Sequence, residues 1–225
     1  EYIQAKQRKF CLFKQLTYPQ MSVENLKTDE VASITFLNNL KAKTSEPHKQ
    51  LEALPISMSI IAPTITVEEY ALYLSLMHDV VQNLENDIYP ILQEEIADLD
   101  ERKKAQQILS DLKVAGSEKK QTVSPFKNAS EMSVAFAMGI MYVVEGSTLG
   151  GRFILKNVQE NLGYNEEKGA SYFSGYGNKT GSFWKKYLNS LTEFESKTNS
   201  HEEIIAGADY AFRVIGKHLS ENSTL

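Results

Sequence analysis

Apolar positions along this chain recur at helical rather than strand spacing. Val31, Ile34, Phe36, Leu37, Leu40 and Leu51 predict a helix over 32–54. Pro47 complicates it: proline has no amide hydrogen for the Lys43 carbonyl and disfavours a helical Glu46. A kink near 43–46, or a restart capped by Ser45 or Glu46, is therefore expected. Thr66-Val67-Glu68-Glu69 reads as a capping box. It opens a helix with Val67, Tyr70, Leu74, Met77, Val81, Leu84 and Ile88 on one face, which Pro90 ends or kinks. Shorter helices follow over 91–97 and 98–114, the second charged and expected to be mostly solvated, and 116–127 reads as a polar loop. From Asn128 or Ala129 a long apolar helix runs to Gly163, a C-cap signal. A loop rich in Gly, Tyr and Ser spans 164–178, and a short helix spans 180–196. Ser200-His201-Glu202-Glu203, a second capping box, opens a last helix through Ile204, Ala208, Ala211, Phe212, Ile215 and Leu219. With no strand alternation and no internal repeat, the fold class is all-α, a bundle of six to eight helices.

One stretch breaks the pattern. Tyr142-Val143-Val144-Glu145-Gly146-Ser147-Thr148-Leu149-Gly150-Gly151 places three glycines in six residues inside the long apolar helix. Each costs about 1 kcal/mol relative to alanine in a helix interior. A helix that keeps three of them bends there, or lets something flat approach its backbone. Close helix–helix packing and a flat ligand account for them about equally well.

Composition narrows the choice. The chain has 225 residues, 42% of them hydrophobic, and a net charge of −5, so one sizeable core is expected and no nucleic-acid footprint. The single cysteine, Cys11, permits neither an internal disulfide nor a cysteine metal site, which fits a reducing, cytoplasmic setting. No uninterrupted apolar run approaches the roughly 20 residues that span a bilayer. Residues 1–30 read as a peripheral N-terminal extension, with Met21 as an internal start, and 31–225 as a single domain.

His48 and Glu52 lie four residues apart, on one face of the first helix. An imidazole can ligate haem iron through one nitrogen while a carboxylate at the other fixes the tautomer. An isolated His-x3-Glu is far more often an ordinary helical pair. Lys41 lies seven residues earlier, about two turns away, where it could reach a haem propionate.

Together these segments resemble the haem oxygenases, especially the bacterial biliverdin-producing type. Leu-Lys-x2-Thr-x3-His-x3-Glu at 40–52 is similar to the proximal helix, and Tyr-Val-Val-Glu-Gly-Ser-Thr-Leu-Gly-Gly-x2-Ile at 142–154 to the kinked, glycine-rich distal helix. The match covers about residues 32–220. The resemblance implies that two helices sandwich haem, which is both cofactor and substrate. His48 becomes the proximal iron ligand supported by Glu52, and Gly146, Gly150 and Gly151 the flexible distal face. Lys41 matches a propionate-binding lysine, and Lys185 and Lys186 occupy the place of further propionate contacts. Many members carry an aspartate directly after the first distal glycine. Ser147 stands there in this chain, so it inherits the water-ordering role without the charge.

The activity implied is oxidative cleavage of haem to biliverdin, CO and Fe2+ with O2. A histidine ligand pushes less electron density onto oxygen than a thiolate does, which favours attack on the ring itself. No flavin or iron–sulfur motif is present, so a separate ferredoxin- or reductase-like electron donor is expected. Iron acquisition and chromophore supply to a phytochrome are equally open as purposes. Two rival classes share these features: a haem sensor or carrier without turnover, and a non-haem enzyme of the same helical fold. The second lacks a persuasive ligand set, since His78-Asp79 and His201-x-Glu203 do not make one, and Cys11 lies in the extension. His78, His201 and His218 read as structural or exposed.

Overall fold

The computed structural model describes residues 28–223. The extension expected at 1–30, with Cys11 and Met21, lies outside these residues up to 27. Among the described residues every regular element is helical. Helix α1 spans Thr28–Glu52, so the chain is already helical inside the last three residues of that extension. It continues through Pro47 without the restart the sequence suggested. The preceding turn closes on itself through the Thr44 hydroxyl, which donates to the Leu40 carbonyl at 2.8 Å.

Helix α2, Pro55–Ser59, turns the chain into α3, Val67–Asn83. The Thr66 capping box forms as expected, with both reciprocal bonds present. The regular α-helix gives way before Pro90. A π-helical turn over Leu84–Ile88 precedes it, and the Tyr89 amide reaches back five residues to the Leu84 carbonyl before α4, Tyr89–Leu92. One extra residue in the turn accommodates a proline that cannot donate at its own position.

Helices α5, Leu99–Arg102, and α6, Ala105–Val114, depart from the solvated face expected of 98–114. Asp98, Arg102, Lys104 and Asp111 are all buried. Each has found a partner, and buried charge is tolerated on that condition.

The long glycine-bearing helix is two helices. A short 3-10 turn over Ala129–Glu131 precedes α7, Val134–Ser147, which is capped by the Ser133 hydroxyl on the Phe136 amide at 3.1 Å. After a break at Thr148–Gly150, α8 runs over Gly151–Leu162 and ends at Gly163 in the left-handed region. Helices α9, Thr180–Thr198, and α10, His201–Glu221, complete the chain. The capping box at Ser200 does not form. The Glu203 carboxylate instead accepts from Ser133 at 2.7 Å, a tertiary partner that wins over the local one.

Helix α7 is the core element. It is buried on nearly every side and packs most extensively on α10. Glycine permits that crossing: a methyl at Gly139 would stand 2.0 Å from the Ile204 carbonyl oxygen, and one at Gly207 2.0 Å from that of Phe136. Val134–Leu162, taken as one segment, is long and apolar enough to cross a membrane. Most of its apolar window is buried within the protein.

Candidate functional site

The break in the glycine stretch has a visible cause. Four successive amides, from Thr148 to Gly151, bond three residues back instead of four. The Ser147 and Thr148 hydroxyls donate to the Val144 and Glu145 carbonyls, each at 2.7 Å. Back-bonding of this kind bends helices, and the tight turn carries the chain from α7 into α8.

Beside the bend lies a cavity of about 420 Å³, within the range of cofactor sites. Ser147, Thr148, Leu149, Gly150 and Gly151 line it together with His48, Leu51 and Glu52 of α1. Phe212, Ile215 and Leu219 of α10, spaced at helical intervals, also line it, as do Tyr73 and Met77 of α3 and Tyr142 of α7. The lining is mostly apolar, with few polar groups. A nearly hundred-residue gap in sequence is closed here: His48 and the glycine turn share one pocket.

His48 Nε2 lies 3.3 Å from Glu52 Oε1, and its ring meets Phe212 edge-on with centroids 5.4 Å apart. Burial holds the imidazole below its ordinary pKa and pushes the Glu52 carboxyl up to about 7. Both shifts favour a neutral pair, and neutral imidazole is the form that ligates a metal.

Of the residues the sequence singled out, His48, Glu52, Ser147, Gly150 and Gly151 line the cavity and Gly146, Lys41, Lys185 and Lys186 do not. Gly146 is buried in the last turn of α7. Gly151 serves packing as well as the cavity wall, because a methyl there would stand 2.6 Å from the Phe173 carbonyl oxygen. Lys41 is half-buried on α1, two turns before His48, and Lys185 is exposed. Lys186 is committed elsewhere: its ammonium is 2.9 Å from Asp98.

That ion pair belongs to a network the sequence did not reveal. Glu145, one residue before Gly146 and 3% exposed, accepts from Arg102 and from the Tyr176 hydroxyl at 2.5 Å. Arg102 also grips Asp98 through two nitrogens, at 2.7 and 3.1 Å, and donates to the Phe183 carbonyl at 3.2 Å. Lys104 sits 3.4 Å over the Tyr176 ring, and burial brings its pKa down to about 8. The back of the distal bend is thereby tied to α5, to the loop before α9 and to α9 itself. A lone acidic residue in an apolar helix was the available signal in the sequence; its partners came from segments with no distinguishing pattern.

A family model described as haem oxygenase matches residues 34–221. The chain belongs to the haem oxygenase family. Solved haem oxygenases share its fold. The enzyme from Neisseria meningitidis, known in NO- and CO-bound forms, superposes with a TM-score of 0.69 at 26% identity, covering 84% of this chain and 92% of that one. The haem oxygenase of Leptospira interrogans gives 0.70 at 21% identity, covering 83% and 98%. Haem oxygenase-1 of the cyanobacterium Synechocystis, solved with haem, gives 0.68 at 15% identity, covering 83% and 91%. A search of curated protein sequences returns no match. Within the glycine stretch, Gly150 and Gly151 line the cavity and Gly151 also packs closely on Phe173, while Gly146 is buried in α7.

Proposed function

We propose that this haem oxygenase cleaves haem to biliverdin, CO and Fe2+ with O2, drawing electrons from a separate donor protein of the ferredoxin or reductase type. The observation that carries the reading is one apolar cavity lined both by a carboxylate-supported histidine, held neutral by burial, and by a glycine turn from a distant part of the sequence. The lining suits haem in two respects: its flat faces need close apolar walls and its iron a neutral imidazole.

When bound, haem supplies the iron that activates O2 and the ring that is oxidised. This chain supplies position and water control. His48 holds the iron side, and Glu52 fixes the orientation and tautomer of its ring. Gly146, Gly150 and Gly151 form the flexible oxygen-side face, of which Gly150 and Gly151 line the cavity. Ser147 accepts hydrogen bonds there, because its own hydrogen is committed to the Val144 carbonyl. Lys41 and Lys185 are assigned to the carboxylates. Lys186, already held by Asp98, closes the buried network instead.

A haemin titration of the wild type and His48→Ala tests the assignment. The variant is expected to lose the wild-type Soret position and spin state; retention of both removes His48 as ligand. Haem, a reductant and air then test turnover. A Soret band that persists without biliverdin absorption makes the protein a haem carrier.

A further inference from the structure

Nearly all the residues lining the cavity stand on helices or on the bend between α7 and α8. Tyr172 and Phe173 do not: they stand on loop 169–177, which is glycine-rich and holds a three-residue 3-10 turn over Tyr172–Ser174. Such loops move unless they are tied down. The Tyr70 hydroxyl donates to the Gly169 carbonyl at 2.6 Å, Lys104 to the Gly175 carbonyl at 3.2 Å, and Arg152 to the Gly177 carbonyl at 2.9 Å. The firmest tie is Asp111 of α6. Its carboxylate accepts from the Ser171 amide, the Ser171 hydroxyl and the Tyr172 amide at 3.0, 2.9 and 2.8 Å. Asp111 is 2% exposed, and among the described residues no cation pairs with it. A buried carboxylate costs stability unless its lone pairs are filled, and here the loop fills them.

Those three bonds fall on the two residues before Phe173, so they place both aromatic side chains. The Tyr172 ring meets the Phe173 ring edge-on with centroids 5.0 Å apart. The Phe173 ring packs on Tyr70 and Tyr73 of α3, with centroids 6.1 Å from each. Its carbonyl faces α8, where a methyl on Gly151 would stand 2.6 Å from the oxygen. Haem is nearly two-fold symmetric. Turning it over about an axis in its plane keeps the carboxylates together and exchanges methyl and vinyl groups along its edge. An apolar lining distinguishes these two seatings only by shape, and shape discriminates only where the wall is rigid.

The geometry points to Asp111 as a positioning residue that locks the Tyr172–Phe173 wall and thereby selects one seating of the haem ring. The assignment rests on the haem reading above. It gives a purpose to a carboxylate buried without a cation: what it holds is the loop backbone next to the wall.

Proton NMR of the cyanide-ligated ferric haem complex tests this, because the two seatings give separate, paramagnetically shifted ring-methyl signals. The wild type is expected to favour one seating. Asp111→Asn keeps the side-chain volume but turns an amide group toward one of the three donors. It should bring the seating ratio about fivefold closer to one, the scale of one lost buried hydrogen bond. Phe173→Leu alters the wall without touching the anchor and should shift the ratio by a similar factor, which keeps the test open if Asp111→Asn does not fold. Asn83→Ala controls for destabilisation alone. Asn83 is 2% exposed, and its side-chain carbonyl accepts from the Phe126 amide at 2.6 Å, so it anchors the loop over 116–127, which lines no part of the cavity. Its seating ratio should match the wild type. Equal populations in the wild type, an unchanged ratio in Asp111→Asn or Phe173→Leu, or an equal shift in Asn83→Ala would overturn the assignment. Failure of the haem reading is distinct, because the wild type itself then shows no His48-dependent haem spectrum.

Discussion

Replacing Gly151 by alanine probes how firmly the distal bend is seated. The new methyl would lie 2.6 Å from the Phe173 carbonyl oxygen, and ordinary contact begins at 3.4 Å. One side must retreat. The Phe173 backbone is poorly placed to do so, because the adjoining Tyr172 amide is held by Asp111 and the Gly175 carbonyl by Lys104. The strain therefore falls on α8, which must lift away from the loop and drag the cavity wall with it. Overpacking of this kind costs about 1–3 kcal/mol. For a domain of this size each kcal/mol lowers Tm by roughly 2–4 °C, so a cost of about 2 kcal/mol gives a drop of roughly 4–8 °C. Scanning calorimetry of the haem-free protein reads this directly, and a haemin titration reads the displaced wall as weaker binding. Gly181→Ala serves as the control. It is helical and has nothing within 4 Å of the new methyl, so it should gain about 0.5–1 kcal/mol. A Gly151→Ala protein as stable and as tight for haem as the wild type would refute the premise that the loop backbone is rigid.

Two further predictions concern groups outside the cavity. Glu145→Ala leaves Arg102 buried with Asp98 as its remaining carboxylate, and the loss of a buried partner should cost about 3–5 kcal/mol in urea or guanidinium unfolding; a loss under about 1 kcal/mol would mean that the network does not brace the bend. His78 is 3% exposed, and neither ring nitrogen has a hydrogen-bond partner among the described residues. Burial, and then the nearby Lys119 ammonium, holds its pKa below 6.5 against the opposing pull of Asp79. The unfolded chain thus takes up a proton first as pH falls below about 6.5, and stability declines from there down to the folded-state pKa, by at most about 1.4 kcal/mol per pH unit. His78→Leu should shrink the difference in unfolding free energy between pH 7.5 and 5.5; an identical slope in wild type and variant would exclude His78 as its source.

Much of the fold was written locally. The Thr66 capping box, the Gly163 C-cap and the apolar faces of α3 and α10 depend on residues within one or two turns of each other, so spacing alone reveals them. The same holds for the His48–Glu52 pair, and for the glycines that had to bend α7 or admit something flat. These features determined an all-α chain with two segments that depart from the ordinary core pattern. Where the sequence misled, a distant partner had overridden a local signal. Glu203 left its capping box for Ser133, and Asp98, Arg102, Lys104 and Asp111 of the charged run were drawn into the interior. Only the tertiary structure decided that Lys186 belongs to Asp98, that Glu145 meets Arg102 across 43 residues, and that Tyr172 and Ser147 line one cavity. Spacing along a helix is fixed by its own geometry. The meeting of charges from separate elements is fixed by how those elements pack, and no periodicity in one segment encodes what another brings to it.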